Sequence, residues 1–260
     1  MTSNFRPWHS LCVAALIMLS AAVAATSPVP GTTGPDSAGA AATPDYYLWA
    51  WRRTEDLSFV ESERINAAIW TGTIFWKEGK LRVDRRLNPI TYPADMKVVA
   101  VARLEIDGIP DPAATARIAE TLQEIGKPFN PVEYQVDFDA RLSQRAFYRR
   151  LLDQVRTRTG STRLSIAALA SWCFHDSWIE ELPIDAAVPM IYRMGPEGGY
   201  IRRKLKRERM FPAAICRGNV GYSSDEPLAP VDGLERVFLF HPRPWTEERL
   251  ATLLDRSARL

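Results

Sequence analysis

Val132-Glu133-Tyr134-Gln135-Val136-Asp137-Phe138-Asp139-Ala140 alternates apolar and polar residues over its first eight positions. In a β-strand successive side chains point to opposite faces. Glu133, Gln135, Asp137 and Asp139 therefore form one column, and Val132, Tyr134, Val136 and Phe138 the other. The apolar column has to be covered by helices. The polar column then points into the centre of a barrel, and its last two members sit at the C-terminal strand end, where barrel enzymes keep their chemistry. Burying polar side chains costs free energy unless they are partnered, so an all-polar inward column demands a reason.

Around this stretch, which spans the strand 132–139, seven more apolar or β-branched runs read as strands: 46–51, 68–75, 97–106, 163–170, 187–192, 213–220 and 236–241. They alternate with amphipathic segments, the pattern of βα units in a parallel sheet. Helices are clearest at 112–125, 143–158 and 246–256. The first opens with Asp111-Pro112, an N-cap followed by proline at the first helical position, and sets Ile118, Leu122 and Ile125 on one side. The second stacks Phe147, Leu151 and Val155 at spacings of four. The third begins Thr246-Glu247-Glu248, with acids where the helix dipole favours them. Shorter helices are expected after the first, fifth and sixth strands.

Between the second and third strands, 77–86 contains Glu78-Gly79-Lys80 and the alternation Leu81-Arg82-Val83-Asp84, which predicts a β-hairpin excursion. Eight units in this length predict a single α/β domain over 44–260, a (β/α)8 TIM-type barrel. An open doubly wound sheet is the competing arrangement. The segment after its first strand, Trp51-Arg52-Arg53-Thr54, is not the Gly-rich phosphate loop that would mark a nucleotide site there.

The 260 residues carry 33 basic and 31 acidic side chains and are 46% hydrophobic, an ordinary globular composition. The near-neutral balance argues against nucleic acid as a partner. Residues 11–25 form an apolar run preceded by Arg6 and His9 and ending in Ala22-Val23-Ala24, the layout of a secretory signal peptide. Segment 1–25 is thus expected to be removed, with export to the periplasm or the exterior and no stable membrane insertion afterwards. Residues 26–43, rich in Ser, Thr, Pro, Gly and Ala, read as a disordered linker. Export makes a disulfide between Cys173 and Cys216 chemically possible. Two buried free thiols are the favoured reading, since a barrel of this size needs no staple.

Two carboxylates on one face are close enough that one resists ionisation while the other is charged, which is how a general acid is kept protonated near neutral pH. Asp139 and Asp137 are therefore the catalytic candidates, with pairing of Asp137 to the inward Arg103 as the structural alternative. Counting strand ends adds Trp49 and Trp51 from the first strand, Trp172 after the fifth, Tyr192 at the end of the sixth, and His241, Arg243 and Trp245 after the eighth. With Arg103 they form the expected substrate-binding set, a mouth with aromatic faces on which sugar rings stack. The chain has three histidines, one of them in the signal segment, and no metal cluster, phosphate loop or Ser-His-Asp arrangement is legible. No cofactor is implied.

Val136-Asp137-Phe138-Asp139 resembles the aspartate-rich fourth strand of family-18 glycoside hydrolases, the chitinase-like barrels. Their pattern continues with one spacer and then an acid glutamate. Met190-Ile191-Tyr192 is similar to that family's Met-x-Tyr-Asp, whose tyrosine lines the subsite of the reacting sugar. Two positions depart: Arg141 stands where the glutamate would be, and Arg193 where the aspartate after the tyrosine would be. A closer resemblance is to the secreted bacterial proteins known as domain of unknown function 3142. It runs through 134–139, 164–172, Met190-Ile191-Tyr192-Arg193-Met194 and Phe240-His241-Pro242-Arg243-Pro244-Trp245. That family is regarded as glycosidase-like in fold. Together the resemblances imply an exported, glycoside-hydrolase-like barrel that acts on or binds a polysaccharide. In the catalytic version Asp139 is the general acid, Asp137 modulates it, Tyr192 orients the sugar, and a second carboxylate such as Asp107, Asp176 or Glu197 takes part. The other version is a non-catalytic carbohydrate-binding or scaffolding barrel that lacks the acid glutamate.

Overall fold

The computed structural model describes residues 43–259; the predicted signal segment 1–25 and residues 26–42 of the linker lie outside the described residues. Eight strands succeed one another: β1 Asp45–Ala50, β2 Ile65–Lys77, β3 Val98–Ile106, β4 Glu133–Asp137, β5 Arg163–Leu169, β6 Ala186–Met190, β7 Asn219–Ser223 and β8 Arg236–Phe240. Each pairs in parallel with the next, and β1 pairs with both β2 and β8, which closes the sheet into the predicted barrel. Five α-helices lie between and after the strands: α1 Pro112–Gly126, α2 Arg145–Thr159, α3 Ala170–His175, α4 Gly198–Glu208 and α5 Glu247–Ala258.

The caps read from the sequence are in place. The Asp111 side chain accepts from the Ala114 amide at 2.8 Å with proline in the first turn of α1, and Thr246 accepts from the Arg249 amide ahead of α5. Three members of the outward column, Tyr134, Val136 and Phe138, join the outer core, where Phe147, Leu151 and Val155 of α2 are fully inaccessible, whereas Val132, ahead of β4, is exposed. Phe138 meets Phe147 and Tyr148 edge to face, with ring centres 6.1 and 5.1 Å apart. Each such fully buried side chain contributes roughly 1.5–3 kcal/mol of hydrophobic stabilisation.

The hairpin excursion is also formed. β2 continues into an antiparallel pairing with Lys80–Arg85 through a two-residue turn. Both turn residues, Glu78 (φ 52°) and Gly79 (φ 74°), have left-handed backbone, the geometry that matches the twist of paired strands.

Three expectations need correction. The helix after the first strand does not form among the described residues. Segment 51–64 instead holds Glu55–Asp56, paired in parallel with Ile90–Thr91. Its amides bond outward to the loop after the hairpin, Glu55 N–H to the Pro89 carbonyl and Leu57 N–H to that of Thr91, so its backbone is satisfied without a helix. The seventh strand begins at Asn219 rather than 213. Ala214–Cys216 coils into a 3-10 turn, and Gly218, with left-handed φ of 76°, separates that turn from β7. Finally, Cys173 and Cys216 are joined as a disulfide rather than left as thiols, with Cα atoms 6.0 Å apart. The Ala213 amide bonds to the Cys173 carbonyl and helps bring the two segments together.

Inside the barrel, Tyr47, Trp49, Val99, Val101 and Phe238 form a second, smaller apolar cluster. Beneath it, Glu133 is almost inaccessible and accepts from Arg236 at 2.5 Å and Arg163 at 3.2 Å. The lower end is therefore plugged by paired charges, and the upper end is left open.

Candidate functional site

The parity of β4 and its register with β3 build the site. Arg103 lies directly beside Asp137 in the parallel pairing, so both side chains enter the barrel mouth at the same height. One guanidinium nitrogen of Arg103 donates to Asp137 Oδ1 at 2.9 Å and the other to Asp139 Oδ2 at 2.8 Å, while Nε reaches Glu105 Oε1 at 3.1 Å. Asp137 is buried, whereas the Asp139 side chain keeps 44% of its surface exposed. Burial pushes the Asp137 carboxyl up. The Arg103 charge opposes that and the neighbouring Asp139 adds to it, leaving a pKa of about 6. For Arg103, burial works against the charge but Asp137 and Asp139 outweigh it, so the guanidinium stays firmly cationic.

These groups open onto a cavity of about 370 Å³ at the C-terminal strand ends. Trp49, Trp51, Tyr192 and Phe240 supply its aromatic lining, and Met190 and Leu169 add apolar surface. Tyr192 and Phe240 stack almost parallel with centres 5.9 Å apart, and Trp49 meets Tyr192 edge on at 6.1 Å. Burial, reinforced by the charge of Asp137, drives the Tyr192 phenol far above its ordinary value, so it remains a neutral donor. Two polar atoms of lining residues lack partners among the described residues: Trp49 Nε1 and Gln135 Oε1, both on nearly inaccessible side chains. A pocket with apolar walls and a few convergent polar groups is the usual form of a small-ligand site.

Of the ten residues expected from the sequence, the structure brings six together at this cavity: Asp137, Asp139, Arg103, Trp49, Trp51 and Tyr192. The other four do not line it. Trp172 is buried in the outer core against the edge of Trp178 at 5.1 Å. Trp245 is buried as well, its Nε1 donating to the Trp49 carbonyl at 3.1 Å, so it supports the first strand from behind. The His241 ring turns back onto its own loop, Nδ1 accepting from the Arg243 amide at 3.0 Å, and Arg243 lies with Arg249 and Arg256 around a separate depression.

Among the second carboxylates considered, Glu197 lines the cavity. Asp176 is engaged by Arg145, and Asp107 faces a neighbouring cleft. Arg141, at the glutamate's place in the family-18 pattern, also faces that neighbouring cleft. Phe240 and Gln135 are lining residues beyond the expected set. The parity rule that orients β4 also finds Phe240, which shares its side of β8 with the inward Phe238. Among the described residues no group of three or more His, Cys, Asp or Glu side chains is placed to hold a metal ion, and no helix is long and apolar enough to cross a membrane.

No family model matches the chain, so the resemblance to domain of unknown function 3142 gains no support there, and no curated protein matches it either. Among solved structures it is similar to a fungal endo-beta-N-acetylglucosaminidase from glycosyl hydrolase family 18. The TM-score is 0.50 at 14% identity, with 76% of this chain and 90% of that chain covered. At that identity the likeness is one of fold, the (β/α)8 barrel.

Proposed function

We propose that this chain is an exported carbohydrate-binding barrel whose mouth takes part of a polysaccharide. The observation that carries the reading is the open cavity at the C-terminal strand ends, where the rings of Trp51, Tyr192 and Phe240 line a pocket with the buried Asp137 and the half-exposed Asp139. Aromatic rings offer apolar faces to the C–H faces of a sugar, and the polar groups between them can meet its hydroxyls. Binding is favoured over cleavage for two reasons. Arg103 occupies an oxygen of each aspartate, and the place of the family-18 acid glutamate belongs to Arg141. The disulfide fits the proposed export, because such bonds persist in oxidising compartments.

Hydrolysis is a second reading, favoured by one observation: burial holds Asp137 near a pKa of about 6, the range in which an acid catalyst works. In it the Asp137–Asp139 pair supplies the proton to the leaving oxygen, and Glu197 supplies the second carboxylate that glycoside hydrolysis requires.

Titration of the folded protein with a glycan panel tests both. The panel includes N-acetylglucosamine oligomers, since the fungal structure is named for that sugar. Binding that Trp51→Ala weakens about tenfold or more, with no product released, supports the binding barrel. Product that Asp139→Asn abolishes while binding persists supports the hydrolase instead. A protein that neither binds nor gains thermal protection from any glycan overturns both.

A further inference from the structure

A second cleft, of about 660 Å³, adjoins the mouth and shares Trp51 and Arg103 with it, so the two lie side by side. One wall is the hairpin, which presents the half-buried rings of Phe75 and Trp76. The other comes from the ends of β3 and β4, which bring Asp107 and Arg141. Three cationic side chains besides Arg103 line it, Arg52, Lys77 and Arg141, against two carboxylates, Glu105 and Asp107.

The pairing of these charges is uneven. Glu105 is already held by Arg103 Nε at 3.1 Å. Arg52 donates to Thr73 Oγ1 at 2.8 Å, but its nearest carboxylate, Asp84, is 4.0 Å away. Among the described residues Lys77 is paired only with its exposed neighbour Glu78, also at 4.0 Å, a contact that adds little in water. Among the described residues the Arg141 guanidinium makes no ion pair or hydrogen bond; only its backbone is engaged, the amide donating to Gln144 Oε1 and the carbonyl accepting from the Gln144 amide. With Glu105 taken up by Arg103, the three cations Arg52, Lys77 and Arg141 face one carboxylate of the cleft without an ion partner among the described residues, Asp107, so the cleft is net positive, next to aromatic rings and beside the mouth. A free guanidinium fork matches a carboxylate or sulfate group in geometry as well as charge.

We infer that this cleft extends the proposed carbohydrate site and takes an acidic residue of the polysaccharide, its carboxylate or sulfate held by Arg141 and Lys77 while the adjacent sugar occupies the mouth. The inference rests on the carbohydrate reading above and narrows it to anionic glycans.

Titration calorimetry with three probes tests it: an oligogalacturonate for carboxylate, a heparin oligosaccharide for sulfate, and a neutral chitin oligomer. At least one acidic probe should bind tenfold or more tightly than the neutral one, and which one does identifies the group recognised. In the double variant Lys77→Ala/Arg141→Ala that advantage should fall about tenfold, with binding of the neutral oligomer and the melting temperature unchanged. Arg149→Ala on α2, an exposed arginine paired with Glu181, should bind as wild type does. Equal or better binding of the neutral probe overturns the inference and leaves the carbohydrate reading standing. An unchanged acidic affinity in the double variant, or an equal loss in Arg149→Ala, overturns it too. Failure of all three probes to bind removes the carbohydrate reading itself.

Discussion

The buried Asp137 should make the protein less stable as pH rises from the acid side, and replacing it by its neutral isostere should remove that penalty. Its folded-state pKa of about 6 lies above the ordinary 3.8. A carboxyl raised in this way binds its proton more tightly in the folded state than in the unfolded one. The stabilisation is fully present below about pH 4, and is lost as pH climbs through about 6. The gap between those values corresponds to about 3 kcal/mol at 1.36 kcal/mol per pK unit. Asp137→Asn keeps the shape and leaves an amide oxygen to accept from Arg103, but carries no charge. Relative to wild type, the variant should therefore gain up to about 3 kcal/mol between about pH 4 and pH 7. For a chain of this size that is about 6–12 °C in melting temperature. Urea unfolding of both proteins at half-unit pH intervals measures it. A difference that stays flat across the range, or that moves in favour of wild type as pH rises, would mean that Asp137 is ionised throughout, and would refute the argument from burial.

Two further outcomes follow from the packing. The disulfide closes a separation of 43 residues; on the chain-entropy model Cys173→Ser/Cys216→Ser should cost about 4 kcal/mol, and a reductant should lower the melting temperature of wild type but not of the variant. A methyl group added at Gly221 would sit 3.0 Å from Trp49 Cη2 and 3.3 Å from Cζ3, so Gly221→Ala should destabilise by about 1–3 kcal/mol and alter the near-ultraviolet dichroism of the displaced indole.

The sequence carried the fold because its information was periodic. The strict alternation of β4 gave both the faces of that strand and the height of its aspartates, and the stripes of α1 and α2 gave the cover for its apolar side. Position alone was weaker. Trp172, Trp245 and His241 do follow strand ends, but once the chain leaves the strand nothing in the order of residues says whether a side chain turns to the mouth or back into the core, and these three turn back. The seventh strand was displaced because the apolar run ahead of Gly218 looks the same whether it pairs or coils. Pairing of Cys173 with Cys216 needed the tertiary approach of two segments, which composition and spacing do not encode. Arg103 stood out as a possible partner of Asp137 and a member of the substrate-binding set; its grip on both aspartates depends on the register between β3 and β4.

The hairpin that prolongs β2 has a consequence for the timing of recognition. Where barrels commonly build the rim of the mouth from loops, here one side is a ladder of backbone hydrogen bonds running from Gly72↔Arg85 to Lys77↔Lys80. The conformational entropy of that wall is lost when the chain folds, not when a ligand arrives, so association there carries less ordering cost. Binding at the hairpin side should then follow simple one-step kinetics, with an observed rate that rises linearly with ligand concentration.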